Sequence, residues 1–181
     1  PNAKDTKLSI DFYVPSIDGH YVALSLSEKG SEDGAAHIID TRSGQHLPDV
    51  VPRVQYPTGG GSIAWDESST GFFYTRYPQG IERAPEDANF YQQVYHHVVG
   101  TPTEKDTYAL GKDFPRIAMT VLDTSKDGKY LYALVANGDG GEFMLYVYGP
   151  SGQWQQVSRF EDKVVGARFG LDGALYLKSQ K

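Results

Sequence analysis

Cysteine is absent from the sequence, which excludes disulfides and thiolate metal centres and leaves the redox compartment open, cytoplasmic or periplasmic alike. No apolar run approaches the roughly 20 residues that a membrane-spanning helix needs. Basic residues are scattered and outnumbered, 17 Lys and Arg against 23 Asp and Glu for a net charge of -6. A nucleic-acid groove needs a clustered basic face, so none is expected. No segment keeps an apolar period of 3.6 over the 11 or so residues of an amphipathic helix. The opening residues PNAKDTKLS hold no apolar signal-peptide core, and the chain starts on Pro1 rather than Met, as an excised piece would.

Catalytic and ligand motifs are missing too. Gly30-Ser31-Glu32-Asp33-Gly34 and Gly149-Pro150-Ser151-Gly152 come nearest to a Gly-x-Ser-x-Gly nucleophile elbow, and both fail on spacing. Gly59-Gly60-Gly61-Ser62 lacks a P-loop lysine and precedes a strand, not a helix, so it reads as a flexible strand entry. Asp123-Thr124-Ser125-Lys126-Asp127-Gly128 imitates the start of a calcium loop, but its twelfth position is Leu134 where a bidentate Glu belongs. His96 and His97 point to opposite faces of a strand and cannot chelate one ion. No catalytic residue, metal ligand or cofactor site is therefore assigned.

What the chain does have is turn chemistry and aromatic strands: 20 Gly, 10 Pro and 13% aromatic residues mark an all-β protein. The stretch 62–100 carries most of a sheet. Gly71-Phe72-Phe73-Tyr74-Thr75-Arg76-Tyr77 is aromatic or β-branched on both alternating faces, as befits a central strand covered on both sides. Ile63-Ala64-Trp65 precedes it, and a strand over 91–99 follows a loop holding Pro78, Gly80 and Pro85. Residues 85–89 read as loop, although Pro85 with Glu86 and Asp87 suits a helical N-terminus.

Strand, polar turn ending in glycine, strand: this order recurs four times, around Gly19, Gly71, Gly128 and Gly173, at intervals of 52, 57 and 45 residues. Such a period fits the four-stranded blades of a β-propeller. The expected strands are 8–14, 21–27, 36–41 and 45–50; 63–65, 71–77, 91–99 and 107–110; 117–122, 130–136, 143–148 and 154–157; then 164–169 and 174–177. Blades thus span about 8–51, 62–111 and 117–158, with an incomplete one over 163–181, in a single partial domain of about three and a half blades. Such an arc is either part of a larger ring or a small closed one, and the first reading is preferred.

Seven motifs stand in order: Pro15-Ser16-Ile17-Asp18-Gly19, Gly30-Ser31-Glu32-Asp33, Leu47-Pro48-Asp49-Val50-Val51-Pro52-Arg53-Val54, Ser62-Ile63-Ala64-Trp65, Gly71 through Pro78, Val94-Tyr95-His96-His97-Val98-Val99-Gly100-Thr101-Pro102, and Asp127-Gly128-Lys129-Tyr130. Together they resemble the propeller domain of prolyl oligopeptidases, the post-proline-cleaving serine peptidases, over residues 12–176. The resemblance implies a seven-bladed propeller attached to an α/β-hydrolase catalytic domain of the same polypeptide. In that family the catalytic Ser, Asp and His belong to the hydrolase domain, and the propeller covers the site and restricts substrates by size to short proline-containing peptides. By motif position, Tyr56 and Met119 are the side chains the resemblance places near substrate; Pro57-Thr58-Gly59-Gly60-Gly61 is an insertion beside the first of them.

Two other readings remain on sequence grounds: a propeller serving as a protein-interaction module without peptidase activity, and a small or self-associated propeller with its own ligand. An exposed blade face is sticky, so self-association of the isolated chain is expected.

Overall fold

The computed structural model describes residues 7–29, 31, 33–54 and 61–180. The described residues form three four-stranded antiparallel sheets and one two-stranded sheet, each strand pairing with its neighbours in chain order. The first sheet holds β1 (Leu8–Pro15), β2 (Tyr21–Glu28), β3 (Ala35–Asp40) and β4 (His46–Val51). The second holds β5 (Ile63–Trp65), β6 (Gly71–Arg76), β7 (Gln93–Val98) and β8 (Thr107–Leu110). The third holds β9 (Ala118–Thr124), β10 (Leu131–Asn137), β11 (Phe143–Tyr148) and β12 (Trp154–Ser158). The fourth pairs β13 (Val164–Phe169) with β14 (Leu175–Ser179). This is the all-β propeller architecture that the repeat predicts, with sheets that do not close into a ring.

The turns show why the strands break where they do. In the first sheet Ser16 Oγ bonds Asp18 Oδ1 at 2.8 Å and accepts the Tyr21 N–H at 3.0 Å, with Gly19 at a φ of +73°. The third sheet repeats this: Ser125 Oγ bonds Asp127 Oδ1 at 2.8 Å and accepts the Tyr130 N–H at 3.0 Å, with Gly128 at +77°. These bonds occupy the Asp123–Gly128 loop as a turn. In the second sheet the left-handed residue is Ser69, at a φ of 56°, and not Gly71. The structural repeat therefore runs through Gly19, Ser69, Gly128 and Gly173. Most strand bounds fall within one or two residues of expectation, and the segment between β6 and β7 departs from it in two respects. β7 starts at Gln93 because Tyr91 has a φ of 56°, a left-handed conformation no strand continues through. Residues 85–89, expected as loop, contain one 3-10 turn, Pro85–Asp87, with the proline at its first position.

Sheets pack face to face. Between the first two lie Ala23, Ile38, Val51, Ile63, Trp65, Phe72 and Tyr74; between the second and third lie Ala64, Phe73, Val94, Leu122, Leu131 and Ala133. Every residue of β6 is buried, with Phe72 and Tyr74 on one side and Phe73 on the other, as its two-sided apolar pattern requires. A third cluster of Phe114, Ala118, Val135 and Met144 closes the end of the third sheet. β13 lies against β11, and its Phe169 ring meets Tyr132 of β10 at a tilt, with centroids 5.4 Å apart.

Candidate functional site

The first strands of the three full sheets, β1, β5 and β9, lie side by side. An inner strand has an edge of unpaired backbone groups, and here side chains satisfy it. Ser62 Oγ accepts the Leu122 N–H at 2.9 Å, Gln92 Oε1 accepts the Thr120 N–H at 2.7 Å, and Thr124 Oγ1 donates to the Trp65 carbonyl at 2.8 Å. Trp65 Nε1 donates in turn to the Val14 carbonyl at 2.9 Å. These bonds fix the register of one inner strand against the next.

Along them runs an open groove of about 570 Å³, walled by Phe12 and Val14 from β1, Ile63 from β5, Met119 and Val121 from β9, and Phe143 from β11. Its surface is predominantly apolar, with Ser62, Thr120, Asp123 and Asp139 as polar points. Met119, singled out from the sequence, stands half-buried in this wall, opposite Ala136 of β10. Tyr56, the other candidate, lies outside the described residues, as do residues 57–60 of the insertion. Gly61, the insertion's last residue, lines the groove.

At the Met119 end of the groove the 77–92 loop is held by three arginines. Arg76 makes a two-pronged ion pair with Glu82 at 2.8 and 3.0 Å and lies over the Tyr95 ring at 3.8 Å. That ion pair keeps the Glu82 carboxyl below the usual range. Arg53, from the crossing between the first and second sheets, donates to the Ala88 carbonyl and to Asn89 Oδ1, both at 2.8 Å. Arg116, from the crossing between the second and third, bonds Asp87 at 2.9 Å, covers the Phe90 ring at 3.5 Å, and accepts the Tyr91 N–H on its carbonyl at 2.8 Å. The loop is thus tied to both crossings that flank its own sheet. Nothing in the sequence pairs Arg53 or Arg116 with its hydrogen-bond acceptors Ala88, Asn89 and Asp87, which lie 29 to 36 residues away.

The histidine pair divides as strand alternation requires. His96 Nε2 bonds Asp66 Oδ2 at 2.9 Å on one face of the second sheet. Burial would raise the Asp66 carboxyl, but hydrogen bonds from His96 and Ser68 outweigh it and hold the group low. His97, on the other face, is fully buried: Nδ1 meets Asp106 Oδ1 at 2.7 Å and Nε2 meets Asp49 Oδ1 at 3.0 Å. With both ring nitrogens engaged by carboxylates, this imidazole can hold protons but cannot serve a hydroxyl nucleophile or a metal ion. Among the described residues no group of three or more His, Asp or Glu side chains is arranged to hold a metal.

Comparison with known proteins bears on this geometry. Residues 2–163 match the family profile described as prolyl oligopeptidase, N-terminal beta-propeller domain. The chain is 27% identical to prolyl oligopeptidase A of Galerina marginata (strain CBS 339.88), over 87% of this chain and 24% of that protein. It is 32% identical to a prolyl endopeptidase of Elizabethkingia meningoseptica, over 71% of this chain and 18% of the relative. The fold superimposes on prolyl oligopeptidase B from Galerina marginata bound to a 25mer macrocyclization substrate with a TM-score of 0.70 at 24% identity, covering 84% of this chain and 23% of the other. Oligopeptidase B from Leishmania major gives a TM-score of 0.63 at 16% identity, covering 83% and 20%. The chain spans about a quarter of the length of the first of these curated relatives.

Proposed function

The chain belongs to the prolyl oligopeptidase family as a segment of its N-terminal β-propeller domain, and from that premise we propose that it is a non-catalytic part of a serine-type prolyl endopeptidase, capping the active site of an α/β-hydrolase domain in the same polypeptide and admitting only short proline-containing peptides. The observation that carries this reading is the apolar groove on three successive inner strands, with Met119 in its wall and an arginine-clamped loop at the same end. A groove of that character suits the apolar side chains upstream of a scissile proline. A rigid rim excludes bulky folded substrates, and shielding a reaction centre from bulk water strengthens the dipoles that stabilise an oxyanion.

The test is hydrolysis of a chromogenic Gly-Pro peptide by this chain and by the polypeptide encoded by its whole gene. Activity confined to the longer product is expected. Within that product Met119→Ala should raise KM by about tenfold and leave kcat nearly unchanged, because an apolar wall binds ground and transition states alike. Hydrolysis by neither polypeptide would replace the peptidase reading with that of a protein-interaction propeller.

A further inference from the structure

The buried imidazole of His97 has no part in the groove, and its surroundings are unusual. Asp49 comes from β4, the outermost strand of the first sheet, and Asp106 from the segment entering β8 of the second. The side chains of all three residues are almost wholly inaccessible. Around them, the Tyr74 hydroxyl on β6 donates to Asp106 Oδ2 at 2.8 Å and the Gly100 N–H donates to Asp49 Oδ1 at 2.5 Å. The Phe72 ring on β6 stands 5.1 Å from the imidazole. Among the described residues neither carboxylate has an ion pair with a lysine or arginine; each has one with His97.

Proton counting follows from this geometry. A carboxylate can only accept, so each ring nitrogen facing one must carry a hydrogen, and only the doubly protonated imidazolium has two. A neutral ring donates once and turns a lone pair toward the second carboxylate. That state leaves two buried negative charges with no cation between them, a costly arrangement where water is excluded. We propose that Asp49, His97 and Asp106 form a proton-operated latch across the seam between the first and second sheets, closed while the imidazole carries two protons and released when it gives one up. The direction of the imidazole's titration agrees. Burial alone would push it down, but the hydrogen bonds and charges of Asp106 and Asp49 outweigh burial and hold it above the ordinary value. A raised folded-state value makes the latch's stabilisation complete below about pH 6.5, where an unfolded histidine is also protonated. The stabilisation is lost as pH rises through the higher folded value. The seam therefore loosens on the alkaline side, whether or not the chain caps a peptidase site.

Hydrogen–deuterium exchange of the 181-residue chain across neutral to alkaline pH, expressed as protection relative to the unfolded chain at each pH, tests the latch. Protection over residues 46–51 and 97–106 should fall about tenfold or more through a single-proton step above pH 6.5, since one lost charge-assisted bond is worth that much. Residues 131–148 of the third sheet should hold theirs. The step should vanish in His97→Gln. In Asp49→Asn, which keeps the imidazole beside one carboxylate, it should move about one pH unit toward acid. A drop shared equally by all sheets, a step that survives His97→Gln, or an Asp49→Asn profile that overlays the wild type would overturn the latch. Because the wild-type and Asp49→Asn profiles each decide the matter, failure of His97→Gln to fold leaves the test intact.

Discussion

A glycine at Gly71 opens β6, and the reason is contact, not conformation. Its φ is ordinary, but an added Cβ would come within 2.6 Å of Asp66 Oδ2 and 2.7 Å of His96 Nε2. The Asp66–His96 pair lies directly over the backbone there. Gly71→Ala must displace that pair or the strand, and the cost expected is about 1–3 kcal/mol, in the range of other overpacked sites. Urea denaturation of the wild type and variant measures it; a difference under about 0.5 kcal/mol would mean that the pair moves freely and does not constrain the strand. Gly128 is needed on both counts. Its φ is +77° and its Cβ would meet Ile17 Cδ1 at 2.6 Å and Glu67 Cα at 2.9 Å, so the turn of the third sheet nests against those of the first two.

Elements show where sequence reading succeeds and where it stops. The aromatic alternation of β6 gave its place between two cores because both faces of a strand are determined locally, by period two. Strand ends were also legible, since turn residues such as Ser16-Ile17-Asp18-Gly19 encode their own hydrogen bonds. The left-handed Ser69 was hidden, because Gly71, two residues on, offered itself as the turn residue. Also hidden was the pairing of His97 with Asp49, 48 residues away across a seam. Alternation separates His96 from His97 but says nothing of what faces either one. Met119 in the groove wall was reached through family resemblance, since a half-buried methionine on a strand looks like any core residue.

The 77–92 loop is the other element whose ties no local sequence pattern encodes. Arg116 is partly exposed, so its ion pair with Asp87 and its stacking on Phe90 contribute little to global stability. Their effect is to order the loop. Arg116→Ala should lower global stability by less than about 1 kcal/mol. It should also markedly speed tryptic cleavage after Arg83, which rests on the Tyr91 ring at 3.9 Å. Unchanged cleavage at that bond in limited proteolysis would show that Arg53 and the Arg76–Glu82 pair suffice to order the loop.

For the whole molecule, the decisive surfaces are those that no sheet covers. Register places Tyr13, Leu24, His37 and Val50 in one row across the first sheet, with Ile10 on the same face beside Leu26. That face is opposite the one packed on the second sheet, and Ile10 and Tyr13 are 65% and 67% exposed. At the other end Tyr176 and Leu177 of β14 are exposed as well. Apolar sheet faces of this kind bury themselves against another sheet where one is available, and at tens of micromolar another copy of the chain is available. A net charge of -6 opposes this only weakly at physiological salt, where exposed charges are screened over about 8 Å. Sedimentation velocity on the isolated chain should therefore show concentration-dependent association. Replacing Ile10 and Tyr13 together with lysine should shift the distribution toward monomer, since both side chains are already solvent-facing and the substitutions leave the inter-sheet cores untouched. A monomeric wild type over that range would mean that these faces are compatible with water as they stand, and the requirement for a further covering sheet would fall with it.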